Sequence, residues 1–277
     1  MEATLREPAV AGTFYPGTAS ALQNELDQLV EVQEDRHELL ACIAPHAGYV
    51  YSGAVAGKLY GHLDIPRRVV VLGPNHTGSG AQVAVAPHER WRTPFGEQPL
   101  DTALARMLVE RFPAAVFDDN AHWREHSLEV QLPFLLTRNP DLELSALCLG
   151  RLPLDQCLEL GRVLAQLIRD LGEPVGIVAS SDMSHYLADD EARTLDHLAI
   201  DAALTLDPAR LYETVHAEGI TMCGVIPATV AVEAANRLGA KAAHLVAYAT
   251  SGDVSGDRSA VVGYAGMCIH RCRAEYS

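Results

Sequence analysis

The sequence predicts an α/β fold: a single domain over residues 1–277 with a central, mostly parallel sheet covered by helices on both faces. Three observations predict it. Apolar runs of strand length recur along the chain, stretches of helical periodicity lie between them, and no Ser/Gly-rich linker, charge block or fixed repeat divides the sequence. Strands that alternate with helices need crossover connections, and those give parallel pairing with both sheet faces buried.

The strand-like runs fall at 39–44, 69–72, 82–86, 144–149 and 175–179, and again at 245–249 and 260–267. Between them, helical periodicity marks 19–32 (through Leu22, Leu26 and Leu29), 101–112, 127–138, 154–171, 191–206 and 225–238. The segment 87–99, PHERWRTPFGEQP, holds too many turn formers and polar residues for a buried element. It reads as a hairpin or a lid-like loop beside the sheet.

Composition narrows the function classes. The chain has 277 residues, 48% of them hydrophobic and 21% charged, which suits a folded globular protein with its own core. Acidic residues outnumber basic ones 36 to 21, a net charge of −15, and no basic stripe offsets it. Nucleic acid and anionic membranes are therefore excluded as expected partners. The N-terminus lacks a signal-peptide pattern, and no run of about 18 apolar residues occurs, so the expected location is the cytoplasm. Of six cysteines, none form a C-x-x-C pair, and Cys42, Cys148 and Cys268 sit in apolar runs as small buried hydrophobes.

Three of the apolar runs end alike. CIAPHAGY places His46 just past a strand, VLGPNHTG does the same for His76, and VASSDMSHY for Asp182 and His185. Ligands of open parallel sheets bind beyond the carboxyl ends of the strands, where loops converge on a rigid frame. Pro45, Gly48, Pro74 and Gly78 supply the tight turns that aim such side chains back over the sheet edge. Together these residues predict a shared metal or catalytic site.

Other residues leave alternatives open. Cys223, in ITMCGVIPATV just before a predicted helix, is either a thiolate favoured by the helix N-terminus or a buried free thiol. In HWREHSLEVQLPFL, His126 either lines the site or caps the helix, while Glu129 reads as part of a solvated helix face. Asp253 and Asp257 in TSGDVSGDRSA bind a cation or form Asx turns, turns being the better match. Histidines 37, 62, 88, 197, 216, 244 and 270 lack this punctuation and read as surface or supporting residues.

REPAVAGTFYPG, IAPHAGYVYSG, VLGPNH, TPFGE, EHSLEVQLPFL, SSDMSH and MCGVIP occur here in the order and spacing of the Memo family, which this chain resembles over nearly its whole length. Microbial members of that family are called AmmeMemoRadiSam system protein B, and the family is similar in fold to class III extradiol dioxygenases. The resemblance implies one transition-metal ion, with iron(II) first and copper or zinc as alternatives. Carried over position by position, the metal ligands are His46, His76 and Cys223, the acid/base pair is Asp182 and His185, and Tyr15, Tyr49 and His126 line the cleft. Ring-cleaving dioxygenases hold iron with two histidines and a carboxylate; sulfur in the third position means that ring cleavage does not transfer with the fold.

Three functions follow as expectations. The first is an iron- or copper-dependent oxidoreductase. The second is a peptide- or protein-binding adaptor, since the family's system name implies an AMMECR-type protein and a radical SAM enzyme as partners, with a small molecule or peptide in the cleft. The third is a hydrolase that uses zinc-activated water.

Overall fold

In the computed structural model, which describes residues 4–271, the chain runs through β1 (Leu5–Arg6), α1 (Ala19–Leu29), β2 (His37–Glu38), β3 (Ala41–Ala44), α2 (Tyr49–Gly61), β4 (Leu63–Asp64) and β5 (Arg68–Pro74). It continues through β6 (Val83–Val85), β7 (Arg90–Thr93), β8 (Gly96–Pro99), α3 (Thr102–Arg111), β9 (Ala115–Phe117), α4 (Gln131–Arg138) and β10 (Glu143–Leu149). The last part comprises α5 (Leu154–Leu171), β11 (Val175–Ser180), β12 (His185–Leu187), α6 (Asp189–Leu204), α7 (Pro208–Ala217), α8 (Val225–Arg237), β13 (Ala242–Thr250), α9 (Gly252–Ser255) and β14 (Val261–His270).

Nine of these strands make one sheet in the order β12-β14-β3-β11-β5-β10-β6-β9, with β13 on the far edge of β14. Its middle, β3-β11-β5-β10, is parallel, and antiparallel pairs flank it at β3-β14 and β10-β6. Side chains on these strands alternate between two cores. Ile43, Val70, Leu72, Leu147 and Ile177 pack against α3, α5, α7 and α8, whereas Cys42, Val69, Val71, Ala146 and Val178 pack against α1, α2 and α4. Every strand-like run of the sequence is a strand of this sheet, because buried parallel strands need apolar residues on both faces.

Two helices carry no stripe that the sequence reading detected. Helix α2, YVYSGAVAGKLYG, exposes a stripe of Val50, Tyr51, Ala54 and Lys58, but only Lys58 there is charged, so no polar face reveals its period. Its glycines permit the approach: a Cβ on Gly57 would lie 2.1 Å from the carbonyl oxygen of Leu29, and one on Gly61 would lie 2.1 Å from that of Glu31. Helix α7 follows Asp207, whose side chain accepts from the backbone N–H groups of Ala209 and Arg210, with Pro208 opening the first turn.

The 87–99 segment is a hairpin, β7 against β8, extended by β1. Trp91 is buried beneath it with the Arg6 guanidinium 4.5 Å from its ring centroid, which makes the segment part of the wall rather than a lid. In the 250–260 segment Asp253 accepts from the Thr250 N–H and pairs with Arg193 and Arg258, while Asp257 accepts from Ser259 N–H in a turn. Those carboxylates are taken by arginines and backbone, so the turn reading holds over the cation one. No described helix is long and apolar enough to cross a membrane.

Candidate metal centre

Strands β3, β11 and β5 are neighbours in the sheet, and the loops that leave their C-terminal ends carry His46, Asp182 with His185, and His76. Cys223 arrives from the opposite side, one residue before the glycine that caps α8. That glycine is required. A Cβ on Gly224 would lie 2.3 Å from Ser180 O and 2.4 Å from Ser181 Cβ, so only glycine lets the start of α8 abut the end of β11. Ser181 Oγ closes the junction by accepting from Gly224 N–H at 3.0 Å.

The ligand atoms of His46, His76 and Cys223 lie within 4.8 Å of one another, and Cys223 Sγ is 3.3 Å from His46 Nε2. Their supporting hydrogen bonds fix which nitrogens face the centre. Ser180 Oγ has one proton, and it goes to the Ser127 carbonyl at 2.7 Å, which can only accept. Ser180 Oγ must then accept from His46 Nδ1–H at 2.8 Å, as it does from Gln131 Nε2–H. His46 Nε2 is left with its lone pair toward Cys223. His76 follows the same logic, since its Nδ1–H donates to Glu125 Oε1 at 2.9 Å and its backbone N–H to Glu125 Oε2 at 2.7 Å. A histidine whose outer N–H is held by a carboxylate has its ring orientation fixed and its other nitrogen made more basic.

Electrostatics agree with a neutral His46 imidazole. Burial first, then the neighbouring His76, His126 and His185, hold His46 well below the usual imidazole range. Burial would raise Glu125, but the hydrogen bond from His76 and the Ser127 N–H bring it down to about 2, so it stays a carboxylate. Of the two readings left open for Cys223, the free thiol holds over the helix-stabilised thiolate: burial, followed by the charge of Asp182, pushes it well above the ordinary cysteine range. The start of α8 does not offset that desolvation. The metal-free centre is therefore a thiol that a cation would have to deprotonate.

Asp182 is buried, its Oδ1 accepts from the backbone N–H of His46 at 2.7 Å, and its own N–H meets Cys223 Sγ at 3.2 Å. Burial pushes its carboxyl up to about 7 against the opposing pull of the His46 and Ala47 N–H groups. His185 is half-buried, and its Nδ1–H donates to the Thr221 carbonyl at 3.0 Å, which leaves Nε2 as the basic nitrogen. Burial lowers its pKa despite that bond. His126 stacks on His76 at 4.6 Å between ring centroids and meets His46 edge-on at 5.5 Å.

Tyr15 and Tyr49 are buried with their hydroxyls on Glu129 Oε1 and the Val130 carbonyl. Glu129 is itself buried, contrary to the solvated face expected for it. It takes Arg6 Nη1–H at 2.7 Å together with the N–H groups of Ala9 and Val10, and so ties the N-terminal segment to the wall of the site. A cavity of about 780 Å³ opens beside the centre, with His76, Cys223, Leu152, Val225 and Ile226 among its lining.

A second grouping, His76 with Glu125 and His126, also brings ligand atoms within 4.8 Å. Glu125 argues against it. Its oxygens already accept from His76 N and Nδ1, His126 N and Ser127 N. The roles of Glu125 and Ser180 as supports of His76 and His46 were not legible in the sequence, although Glu125 stood in view, flanking His126 in the EHSLE motif.

Fold and site define an α/β protein in which two strand-end histidines and a cysteine at the start of α8 form a group able to hold a metal ion. Residues 6–268 match the sequence profile of the Memo-like protein family, and the chain belongs to that family. A MEMO1 family protein of Methanosarcina mazei is 41% identical over 267 residues, 96% of this chain and 99% of that protein. Those of Archaeoglobus fulgidus and Aquifex aeolicus are 42% and 41% identical, each covering 95% of this chain and 98% of the relative. Among solved structures, an uncharacterized protein of Escherichia coli K12 shares the fold, with a TM-score of 0.56, 16% identity, and coverage of 83% of this chain and 99% of the other.

Proposed function

We propose that this Memo-family protein holds one redox-active metal ion, iron(II) in preference to copper or zinc, at His46, His76 and Cys223 and acts on a small molecule or peptide in the adjoining cavity. The observation that carries the reading is the convergence of one nitrogen each from His46 and His76 with Cys223 Sγ within 4.8 Å, both rings being oriented through hydrogen bonds at Nδ1. Two imidazoles and a thiolate suit copper, zinc and iron, and exclude the hard, oxygen-seeking magnesium and calcium. When bound, such an ion supplies an open coordination position for redox chemistry.

The protein's own residues do the rest. Glu125 and Ser180 orient the two histidines, and Asp182 holds the His46 backbone and the Cys223 sulfur in register. His185 offers Nε2 as a base, since its other nitrogen is committed to Thr221. Five described cysteines are all free thiols, in keeping with a reducing cytoplasmic setting.

Anaerobic iron(II) loading, followed by nitric oxide as a spectroscopic probe, tests the assignment. The parent chain gives an iron-nitrosyl signal and His46→Ala does not; an undiminished signal in that variant removes His46 from the ligand set. A second reading is supported by Tyr51 and Tyr186, two large aromatic side chains left exposed. That aromatic rim suits a docked protein, with AMMECR-type and radical SAM proteins as the partners to try. Co-purification that survives loss of the metal and fails on Tyr186→Ala would favour it.

A further inference from the structure

The opposite end of the sheet carries a second cluster of imidazoles. In the β13-β14 pair Ala242 stands opposite His270, so His244, two residues along, projects from the same face as the diagonal neighbour of His270. His37 joins them from β2, whose pairing with β4 sets it just ahead of β3, the strand that flanks β14 on its other side. His270 lies past the register pair Ala41–Ile269, at the start of β3, whereas His46 follows the end of that strand. The length of β3 alone, about 10 Å at 3.3 Å per residue, separates the two groups.

We propose that His37, His244 and His270 form a second metal site, selective for borderline divalent cations of the zinc, nickel and copper(II) class. One nitrogen from each ring lies within 4.8 Å of the other two, and all three residues are half-buried. His270 is already set for ligation. Its Nδ1–H donates to the Arg271 carbonyl at 2.8 Å, which fixes the ring and leaves Nε2 with its lone pair.

The rings of His37 and His270 stack at 3.9 Å and 21°, with His244 edge-on to His270 at 5.3 Å. A tetrahedral ion with metal–nitrogen bonds of about 2.0–2.1 Å needs nitrogens about 3.3 Å apart, so capture draws the His37 and His244 rings toward His270 by side-chain rotation with the backbone in place. Three imidazoles and no carboxylate among them favour zinc, nickel and copper over magnesium and calcium. An ion there would pin the short β2-β4 ladder to the edge strand β13. That is a structural role, independent of chemistry at His46.

The test uses untagged, chelator-treated protein and cobalt(II) or zinc as probe. In a His46→Ala/Cys223→Ser chain one equivalent should still bind, and His244→Gln or His270→Gln added to it should weaken that binding at least about tenfold. In the otherwise unaltered chain, His244→Gln should lower the stoichiometry by one equivalent while leaving the sulfur-to-cobalt charge-transfer band, a signature of Cys223, in place. Absence of binding in the His46→Ala/Cys223→Ser chain, shown folded by circular dichroism, overturns the proposal. So does a stoichiometry indifferent to both glutamine substitutions.

Discussion

Replacing Glu125 by glutamine changes one atom and should reach the metal centre without touching a ligand. Four donors converge on this carboxylate: His76 Nδ1–H, His126 N–H and Ser127 N–H on Oε1 at 2.9 Å each, and His76 N–H on Oε2 at 2.7 Å. In its best orientation glutamine keeps the oxygen on the three-donor side and turns its NH2 toward His76 N–H, so one hydrogen bond becomes a donor-donor contact. The other three lose their charge assistance. A charge-assisted bond is worth about 1.5–3 kcal/mol against about 1 for a neutral one, so one bond lost and three weakened put the folding cost at about 3 kcal/mol or more. Loss of such a partner weakens metal binding by about 10- to 100-fold, or about 1.4–2.7 kcal/mol. Zinc affinity measured by competition with a chromophoric chelator, together with a urea melt of each protein, reads both. A Glu125→Gln protein that is folded and binds zinc within twofold of the parent would refute the argument that Glu125 sets the His76 ligand.

Three further outcomes follow from the same geometry. Cys223→Ser should fold and lose the sulfur-to-cobalt charge-transfer band; a band that persists would place the sulfur ligand elsewhere. Gly224→Ala should cost about 3 kcal/mol by overpacking and displace Cys223, since its Cβ would start 2.3 Å from Ser180 O; a melt unchanged from the parent would contradict the close approach of α8 to β11. His122, fully buried, is held down to about 3 from 6.5 mainly by burial, against which the Ala84 carbonyl and, more weakly, the Glu125 charge favour its protonated form. Because the folded pKa is the lower one, this residue's stability contribution is complete above pH 6.5 and drains away as pH falls toward 3. Between pH 7.5 and 5 the loss is about 2 kcal/mol in urea melts, and His122→Asn should abolish that share of the slope; an equal slope in the variant would remove His122 as its source.

Much of this architecture is written locally. Strands buried on both faces appear as unbroken apolar runs, and helices with one wet face appear as stripes, as in α5, whose limits agree between sequence and structure. Helix α2 escaped because its exposed stripe, Val50, Tyr51, Ala54 and Lys58, is mostly apolar, and α7 because its Asp207-Pro208 start signal was passed over. The strand-end histidines were legible from their Pro and Gly settings. Their supports were not, because those depend on segments distant in sequence: Ser180 on the His46 ring, Glu125 on His76, and Arg6 on Glu129 across 123 residues. Glu129 has the spacing of a solvated helix face and is nonetheless buried, since a cation from the N-terminal segment meets it there. The Cys223 thiol went the same way, its ionisation set by burial under α8 and by Asp182 rather than by its place in the sequence.

X-ray absorption at the zinc edge, on protein given less than one equivalent of zinc in a His244→Gln background, tests the central claim most directly. The account predicts a first shell of one sulfur at about 2.3 Å and two imidazole nitrogens at about 2.0–2.1 Å, the sulfur vanishing in Cys223→Ser. A shell of nitrogen and oxygen alone in the Cys223-containing protein would contradict it.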